Sequence, residues 1–158
     1  MKPRIKNWRN VVILATASGG YTGFIPFAPG TWGTLVGLGL VWLVADLGVG
    51  FHVFLSAALL AFGAWVSDQA CHLLKEQDSG RVVIDEIVGM LITMIGIPVT
   101  GYWLVMGFII FRILDITKVP PASFFDRHVK NGWGVMLDDV VSGIYGNVLL
   151  HLMLRAQI

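Results

Sequence analysis

Two pairs of adjacent acidic residues are the feature of this sequence most suited to chemistry. Asp85–Glu86 lies in the stretch VVIDEIVGM and Asp138–Asp139 lies in GVMLDDVVSGIYGN, each at the start of a long apolar run. One acid at a helix start is explained by N-capping or by the helix dipole. A doublet is explained less well in this way, because ionisable groups beside a hydrophobic segment are costly and usually face a partner or a polar cavity. We therefore interpret both doublets as parts of one functional site.

Two single acids, Asp68 and Asp115, support this interpretation. Both lie at the C-terminal ends of predicted helices, where the helix dipole disfavours negative charge. Carboxylates that converge where water has access supply the oxygen ligands of Mg²⁺, and protein-bound Mg²⁺ is commonly shared with a phosphate. The sequence therefore predicts a magnesium site, and the alternative is a set of separate helix caps and ion pairs.

Basic residues and backbone amides at the same end of the predicted helices as these acids predict a phosphate-binding site. Arg112 and Asp115, three residues apart, share one helix face. Arg112 either pairs with this acid or binds a phosphate through paired donors, aided by Lys118 and Arg127. In the stretch FAPGTWGT we expect Thr31 to cap a helix whose free backbone amides attract anions.

The composition predicts the surroundings of such a site. The 158 residues suffice for a single domain, 1–158, and 56% of them are hydrophobic while only 13% are charged. Soluble domains are about 45–50% apolar and about 25% charged. A membrane protein with the lipid bilayer as its partner is therefore the expected class. The net charge is +1 and no basic stripe carries interleaved aromatic residues, so nothing indicates a nucleic-acid partner.

Five apolar segments predict an all-α, polytopic membrane helix bundle. The helices expected from the apolar runs, prolines and glycines are 31–46, 51–72, 85–97, 101–117 and 138–155. Several runs are shorter than the roughly 20 residues that span a bilayer, and they span it only with their flanks. The segment before them, 11–28, is interrupted by glycines and a proline. We expect a short N-terminal interfacial helix there and not a sixth span.

The distribution of basic residues predicts the orientation of the bundle. With the N-terminus inside, the inner segments 1–30, 71–84 and 117–137 and the adjacent helix ends hold ten of the eleven Lys and Arg residues. Only Arg155 falls outside, and basic residues near span ends mark the cytoplasmic side. A sixth span would place six of these cations outside. We therefore expect a cytoplasmic N-terminus and a cytoplasmic active site, with Asp46 alone among the acids on the far side.

The sequence pattern argues against two other functional classes. An ion-coupled membrane transporter is the leading alternative, but transporters place charges near the bilayer midplane and often contain internal repeats. Here the acids gather at one end and no repeat is visible. A phosphotransferase that joins two lipid alcohols would need an Asp-Gly-x-x-Ala-Arg signature, which is absent. The oligomeric state is left open, because glycines in the first predicted helix permit close contacts either within one chain or between copies.

Four stretches together, FAPGTWGT, VVIDEIVGM, FRILDITK and GVMLDDVVSGIYGN, resemble the motifs of the bacterial phosphatidylglycerophosphatase A family. They occur in the family's order from Phe27 to Asn147. One departure is visible: the family usually has Lys-Pro-x-Pro, whereas Lys118 is followed here by Val119, Pro120 and Pro121. The resemblance implies a Mg²⁺-dependent lipid phosphatase of the bacterial inner (cytoplasmic) membrane. Its substrate would be phosphatidylglycerophosphate, and its products phosphatidylglycerol and phosphate, in phospholipid biosynthesis.

The resemblance also implies which acids act. The family's functional acids fall on Asp85, Glu86, Asp115, Asp138 and Asp139, with Asp68 as a further candidate. Within this set we expect catalytic roles for Asp85, Glu86, Asp138 and Asp139. We expect magnesium ligands among Asp68, Asp85, Glu86, Asp115 and Asp139. Neighbours on a helix diverge by about 100°, so one member of each doublet should bind the metal while the other supports it or acts as base. No Asp-x-Asp nucleophile motif is present, so direct attack by metal-bound water is the expected mechanism, and an Asp nucleophile is the alternative.

Overall fold

The computed structural model describes residues 7–76 and 79–156, and their regular secondary structure is entirely helical. The α-helices are α1 (Trp8–Ala17), α2 (Pro29–Val44), α3 (Gly48–Leu74), α4 (Ile84–Thr93), α5 (Gly101–Thr117), α6 (Ala122–His128) and α7 (Gly132–Ala156). Short 3₁₀ turns lie at Thr22–Phe24 and Ala45–Leu47. Three cations of the charge argument, Lys2, Arg4 and Lys6, lie outside the described residues. The predicted all-α membrane helix bundle is confirmed.

Helix α4 is the centre of the bundle and packs against α2, α3, α5 and α7. Most of its residues are buried, namely Ile84, Ile87, Val88, Gly89, Met90, Leu91 and Thr93. A helix rises about 1.5 Å per residue, so α4 is about 15 Å long, roughly half the thickness of the hydrocarbon core. The predicted helix 85–97 is wrong at its C-terminal end. The chain leaves the helix at Met94, and Gly96 adopts a φ of 71° that closes the turn.

Two glycines allow α4 and α7 to approach each other closely. A Cβ atom on Gly143 would lie 2.6 Å from the carbonyl oxygen of Gly89. A Cβ atom on Gly89 would lie 2.5 Å from the ring of Phe111 and 3.0 Å from the carbonyl oxygen of Asp139. Because these contacts leave no room for a side chain, they fix α7 against α4 at the depth of the acidic doublets.

The long helices alternate in direction along the chain. Helix α2 is parallel to α4, since Gly33 meets Val83 and Gly37 meets Met90. Helix α3 is antiparallel to α7, because Ala64 lies against Gly132 and Gly63 against Met136. As a result, α2, α4 and α7 begin, and α3 and α5 end, at one end of the bundle. We call this end, which contains Pro29, Leu74, Ile84, Thr117 and Gly132, the polar end.

The starts of two helices differ from prediction for local reasons. Helix α7 begins at Gly132 and not at residue 138, because Asn131 caps it: the Asn131 Oδ1 accepts hydrogen bonds from the N–H groups of Trp133 and Gly134, at 3.0 and 3.2 Å. Helix α2 begins at Pro29, where proline suits the first turn. The expectation that Thr31 caps this helix is therefore wrong. Helix α6 lies in a segment for which no helix is predicted.

The N-terminal segment forms a short helix and not a span. The Asn7 side chain caps α1 by accepting a hydrogen bond from the N–H of Arg9. The helix ends at Ala17, and the chain then turns through Gly19 and Gly20, both with positive φ. Buried Leu14 and Ala17 pack in the same apolar cluster as residues of α3. The prediction of a short N-terminal helix is confirmed.

Apolar side chains cover much of the outside of the bundle. Large exposed examples occur on α2, α3, α5 and α7, including Trp42, Phe54, Trp65, Val105 and Leu152, each more than half exposed. Within residues 7–76 and 79–156, two segments are long and apolar enough to cross a membrane: Pro29–Leu74, which contains α2 and α3, and Gly132–Ala156. Such an exterior suits lipid and not water, because contiguous exposed apolar patches of this extent are rare on soluble monomers.

The Gly89–Gly143 contact yields a stability prediction. We expect Gly143→Ala to lower the thermal midpoint of the detergent-solubilised protein, because its Cβ would overlap a backbone oxygen and overpacking costs about 1–3 kcal/mol. Gly39→Ala is the matched control, since a Cβ there meets nothing within 4 Å. Alanine in that helix should leave the midpoint unchanged or raise it. Equal midpoints for the two variants would contradict the close contact.

Candidate active site

A cavity of about 320 Å³ opens at the polar end between α2, α4, α5 and α7. Its lining includes six carboxylates and three cations, namely Asp85, Glu86, Asp115, Asp126, Asp138, Asp139, Arg112, Lys118 and Lys130. Five of the six acids expected to be functional therefore line one cavity. An unpaired buried charge is costly, so a site of this composition depends on ion pairs and bound ions.

Three carboxylates form the tightest group in the cavity. Asp85, Glu86 and Asp139 each bring one oxygen to within 4.8 Å of the others. Asp85 and Glu86 lie in the first turn of α4, and Asp139, which is 3% exposed, joins them from α7. The Glu86 N–H donates to Asp85 Oδ1 at 3.1 Å, which fixes one carboxylate of the doublet. Hard oxygen donors grouped in this way fit Mg²⁺, and three neighbouring negative charges call for a cation.

Arg112 joins this group to helix α5. Its Nη1 forms an ion pair with Asp115 and lies 4.0 Å from Glu86 Oε1. The buried Nε of Arg112 and the buried Oε2 of Glu86 have no hydrogen-bond partner among the described residues. A buried polar atom without a partner costs about 1–3 kcal/mol. One buried donor and one buried acceptor are thus available to a ligand, and the local ion pair and a phosphate contact are compatible uses of the same guanidinium.

Lys118 forms a second cationic bridge in the cavity. Its Nζ donates to Asp126 Oδ1 at 2.6 Å and also to Asp138 Oδ2. Burial lowers the pKa of Lys118, but the hydrogen bonds and charges of Asp126 and Asp138 outweigh this effect, so the pKa lies above its ordinary value. Lys118 is therefore a permanent cation, and it links the end of α5 to α6 and α7.

Asp126 is a site residue that the sequence did not indicate. It lies on α6, a helix of seven residues between two predicted helices, and its carboxylate reaches the cavity. Its partner Lys118 precedes it by eight residues, a spacing that does not correspond to neighbours on one helix. The only available signal was its acidic type in a loop placed at the same end as the doublets.

Three residues predicted for the site lie apart from the cavity. Asp68 lines a separate cavity of about 400 Å³, where its carboxylate is 3.7 Å from Nε2 of His72, one turn later on α3. Thr31 is not in the lining, and its N–H donates to the carbonyl of Ala28 at 3.0 Å. Arg127 is exposed on α6 and is not in the lining either.

Gly30 brings the start of α2 into the cavity. A Cβ atom at this position would lie 2.2 Å from Glu86 Oε1 and 3.0 Å from Arg112 Nη1. The backbone of α2 therefore contacts the two side chains that carry the unpartnered atoms. The helix start predicted to attract an anion does reach the site, but through Pro29 and Gly30 and not through Thr31.

The fold and the cavity define a helical membrane protein with an acidic site, crossed by fixed cations, at one end of its bundle. Comparisons with known proteins identify the family to which it belongs. The profile of the family "Phosphatidylglycerophosphatase A" matches residues 15–154. Phosphatidylglycerophosphatase A of Escherichia coli (strain K12) is 33% identical over 153 residues, which cover 96% of this chain and 88% of that protein. No solved structure matches.

Two further relatives also match most of the chain. Phosphatidylglycerophosphatase A of Haemophilus influenzae is 36% identical over 132 residues, covering 82% of this chain and 80% of that protein. A putative phosphatidylinositol-3-phosphatase of Bacteroides thetaiotaomicron is 35% identical over 147 residues, covering 88% of this chain and 90% of that protein. The chain belongs to the phosphatidylglycerophosphatase A family, and it is a lipid phosphatase that hydrolyses a phosphoric monoester. The resemblance seen in the four motifs is confirmed.

The contact of Gly30 with the site yields a prediction about activity. We expect Gly30→Ala to lower kcat/KM by at least about tenfold, because the new methyl group displaces Glu86 and Arg112. The thermal midpoint should change little, since the overlap is with the ends of side chains and alanine favours the helix. The measurements are initial rates of phosphate release and thermal unfolding on one preparation. Wild-type kinetics would show that the start of α2 does not constrain the site.

Proposed function

We propose that this chain hydrolyses the terminal phosphate of phosphatidylglycerophosphate with Mg²⁺ as cofactor, giving phosphatidylglycerol and phosphate in phospholipid biosynthesis. One observation carries the proposal: the carboxylates of Asp85, Glu86 and Asp139 share a cavity with the unpartnered guanidinium nitrogen of Arg112. A group of oxygen ligands beside a fixed cation suits a phosphate monoester, which carries two negative charges. The names of two relatives supply the lipid.

Asp85, Glu86 and Asp139 are the residues that would hold the metal. This set replaces the expectation of one ligand from each doublet, because Asp85 and Glu86, although adjacent on α4, both bring an oxygen to the same group. When bound, Mg²⁺ neutralises charge on the phosphate oxygens, and such neutralisation lowers the barrier of an otherwise very slow hydrolysis. Asp115 and Asp68 were also expected as ligands. Asp115 is engaged by Arg112 and Asp68 lies in the other cavity beside His72, so we leave both out of the proposed ligand set.

The remaining charged groups divide the work of binding and proton transfer. Arg112 donates to the phosphate through its Nε, while Asp115 holds its Nη1. Asp138 accepts the proton of the attacking water, and Lys118 holds its carboxylate in place. As the water oxygen bonds to phosphorus, the bond between phosphorus and the glycerol oxygen breaks. The glycerol oxygen then receives the proton that Asp138 accepted from the water.

We place this site at the cytoplasmic face of the bacterial inner membrane in a multi-pass chain. The support is the distribution of charge over the described residues. Arg112, Lys118 and Lys130 lie around the cavity at the polar end, whereas Arg155 lies in the last turn of α7 at the opposite end. Basic residues near span ends mark the cytoplasmic side.

A phosphate-release assay tests the proposal. Purified protein in mixed micelles should release phosphate from phosphatidylglycerophosphate with Mg²⁺ and lose this activity when the metal is removed by EDTA. Asp85→Asn and Asp139→Asn preserve shape but remove charge, so each should lower kcat/KM by at least about a hundredfold. Asp46→Asn is the control, since Asp46 is exposed in the 3₁₀ turn between α2 and α3, and should behave as wild type.

The same assay includes the outcomes that would contradict the proposal. Release that persists without a divalent cation, or near-wild-type rates in both aspartate variants, would reject the metal site. Phosphatidylinositol 3-phosphate is a second substrate to be compared, because one relative carries that name; faster release from it would reject the proposed lipid. No release from either lipid, with cation flux in proteoliposomes, would favour the transporter alternative.

The role of Arg112 generates a separate prediction. Lysine offers a point charge and no paired donors, so Arg112→Lys should retain the attraction to Asp115 but lose the Nε contact. We expect kcat/KM to fall by at least about tenfold, or about 1.4 kcal/mol of transition-state stabilisation. The dependence on Mg²⁺ concentration should be nearly unchanged, because Arg112 is not a metal ligand. Full activity, or rescue by excess Mg²⁺, would assign Arg112 to local structure alone.

A further inference from the structure

The lining of the active-site cavity combines polar and apolar residues. Ser79, Gly80 and Lys130 contribute polar groups to it. Ala28, Pro29 and Ile116, from the start of α2 and the end of α5, contribute an apolar section. Ile116 is 70% exposed although it lines the cavity. The side chain therefore belongs both to the site and to the outer surface.

Ile116 continues into a stripe along α5. Ile109 and Ile113 lie seven and three residues before it, and this spacing places all three on one helix face. They are 44% and 57% exposed, respectively. The apolar section of the rim thus extends as a continuous surface along the helix, away from the polar end.

Helix α2 adds a second apolar stripe beside the same rim. Trp32 and Leu35 are 41% and 43% exposed, and α2 contains no charged residue between Pro29 and Val44. The two helices meet where Gly30 contacts Arg112. We call the outer surface formed by Trp32, Leu35, Ile109, Ile113 and Ile116 the α2–α5 apolar face.

We propose that the acyl chains of the substrate lie on the α2–α5 apolar face while its phosphorylated head reaches the cavity between Pro29 and Ile116. This inference rests on the proposed function. Moving methylenes from an apolar environment into water is costly, so the tails of a diacyl lipid stay in the bilayer during the reaction. The head must then cross the rim where lipid and cavity meet.

The position of Arg112 agrees with this route. It lies at the contact between α2 and α5, where a phosphate that passes Pro29 and Ile116 first meets a cation with an unpartnered donor. Lys130 and the polar backbone at Ser79–Gly80 also belong to the lining, and they suit water and released phosphate but not hydrocarbon.

The test compares two phosphatidylglycerophosphates, one with palmitoyl chains in mixed micelles and one with hexanoyl chains dispersed as monomers. The double variant Ile113→Asn/Ile116→Asn should lower the ratio of kcat/KM for the long-chain over the short-chain lipid by at least about tenfold, since polar side chains weaken contacts along several methylenes. Ile144→Asn is the matched control. Ile144 is 47% exposed on α7 and is not one of the residues of this face, so this variant should keep the wild-type ratio.

A second measurement does not depend on variants. Wild-type protein is irradiated with a trace of phosphatidylglycerophosphate that carries a diazirine in its acyl chain, with and without excess unlabelled phosphatidylglycerophosphate, and the modified peptides are identified. A lipid probe labels every apolar exterior, so only the labelling that the excess suppresses reports the position of the substrate. We expect this suppressed labelling to be concentrated on 29–44 and 101–117. Suppressed labelling spread evenly over α3 and α7, or an unchanged ratio in the double variant, would reject the route while phosphate release by the wild type upholds the proposed function. Absence of release from both lipids would reject the function and the route together.

Discussion

The close approach of like charges inside a helix bundle is the constraint on which the rest of this structure depends. Asp85, Glu86 and Asp139 bring oxygens within 4.8 Å of one another. At an effective dielectric constant of about 20, each such pair of charges repels by on the order of 3–4 kcal/mol. A protein whose free energy of unfolding is about 5–15 kcal/mol would not stay folded against several such repulsions unless nearby cations offset them. Arg112, 4.0 Å from Glu86, supplies part of this compensation, and the Mg²⁺ that we propose would supply more.

The helix geometry follows from this constraint. The first turn of α4 carries Asp85 and Glu86, where the helix dipole stabilises negative charge. Helix α7 begins at Gly132, so Asp138 and Asp139 lie almost two turns inside it and gain little from its dipole. Capping therefore explains one doublet in part and the other not at all. Asp139 is held at the site by the close packing of α7 on α4.

Sequence reasoning succeeded where composition and local pattern decide the outcome. The apolar runs indicated α2, α3 and α5 to within a few residues, and the doublets identified the polar end. It failed where tertiary contacts decide. The start of α7 depends on the capping residue Asn131, which lies in a polar stretch whose composition indicates a loop. Asp68 shares its acidic type and its end of the bundle with the doublets, but its position on α3 directs it to another cavity.

The interpretation of Arg112 shows how geometry resolves a choice that sequence leaves open. The spacing of three residues to Asp115 favoured an ion pair and a phosphate contact about equally. In the structure Asp115 engages Nη1, and the buried Nε has no partner among the described residues, so the proposed phosphate contact would use a different atom. A guanidinium held at one nitrogen presents its other donors in fixed directions, which would reduce the entropy lost when a phosphate binds. Under the proposed function the ion pair would therefore support phosphate recognition and not compete with it.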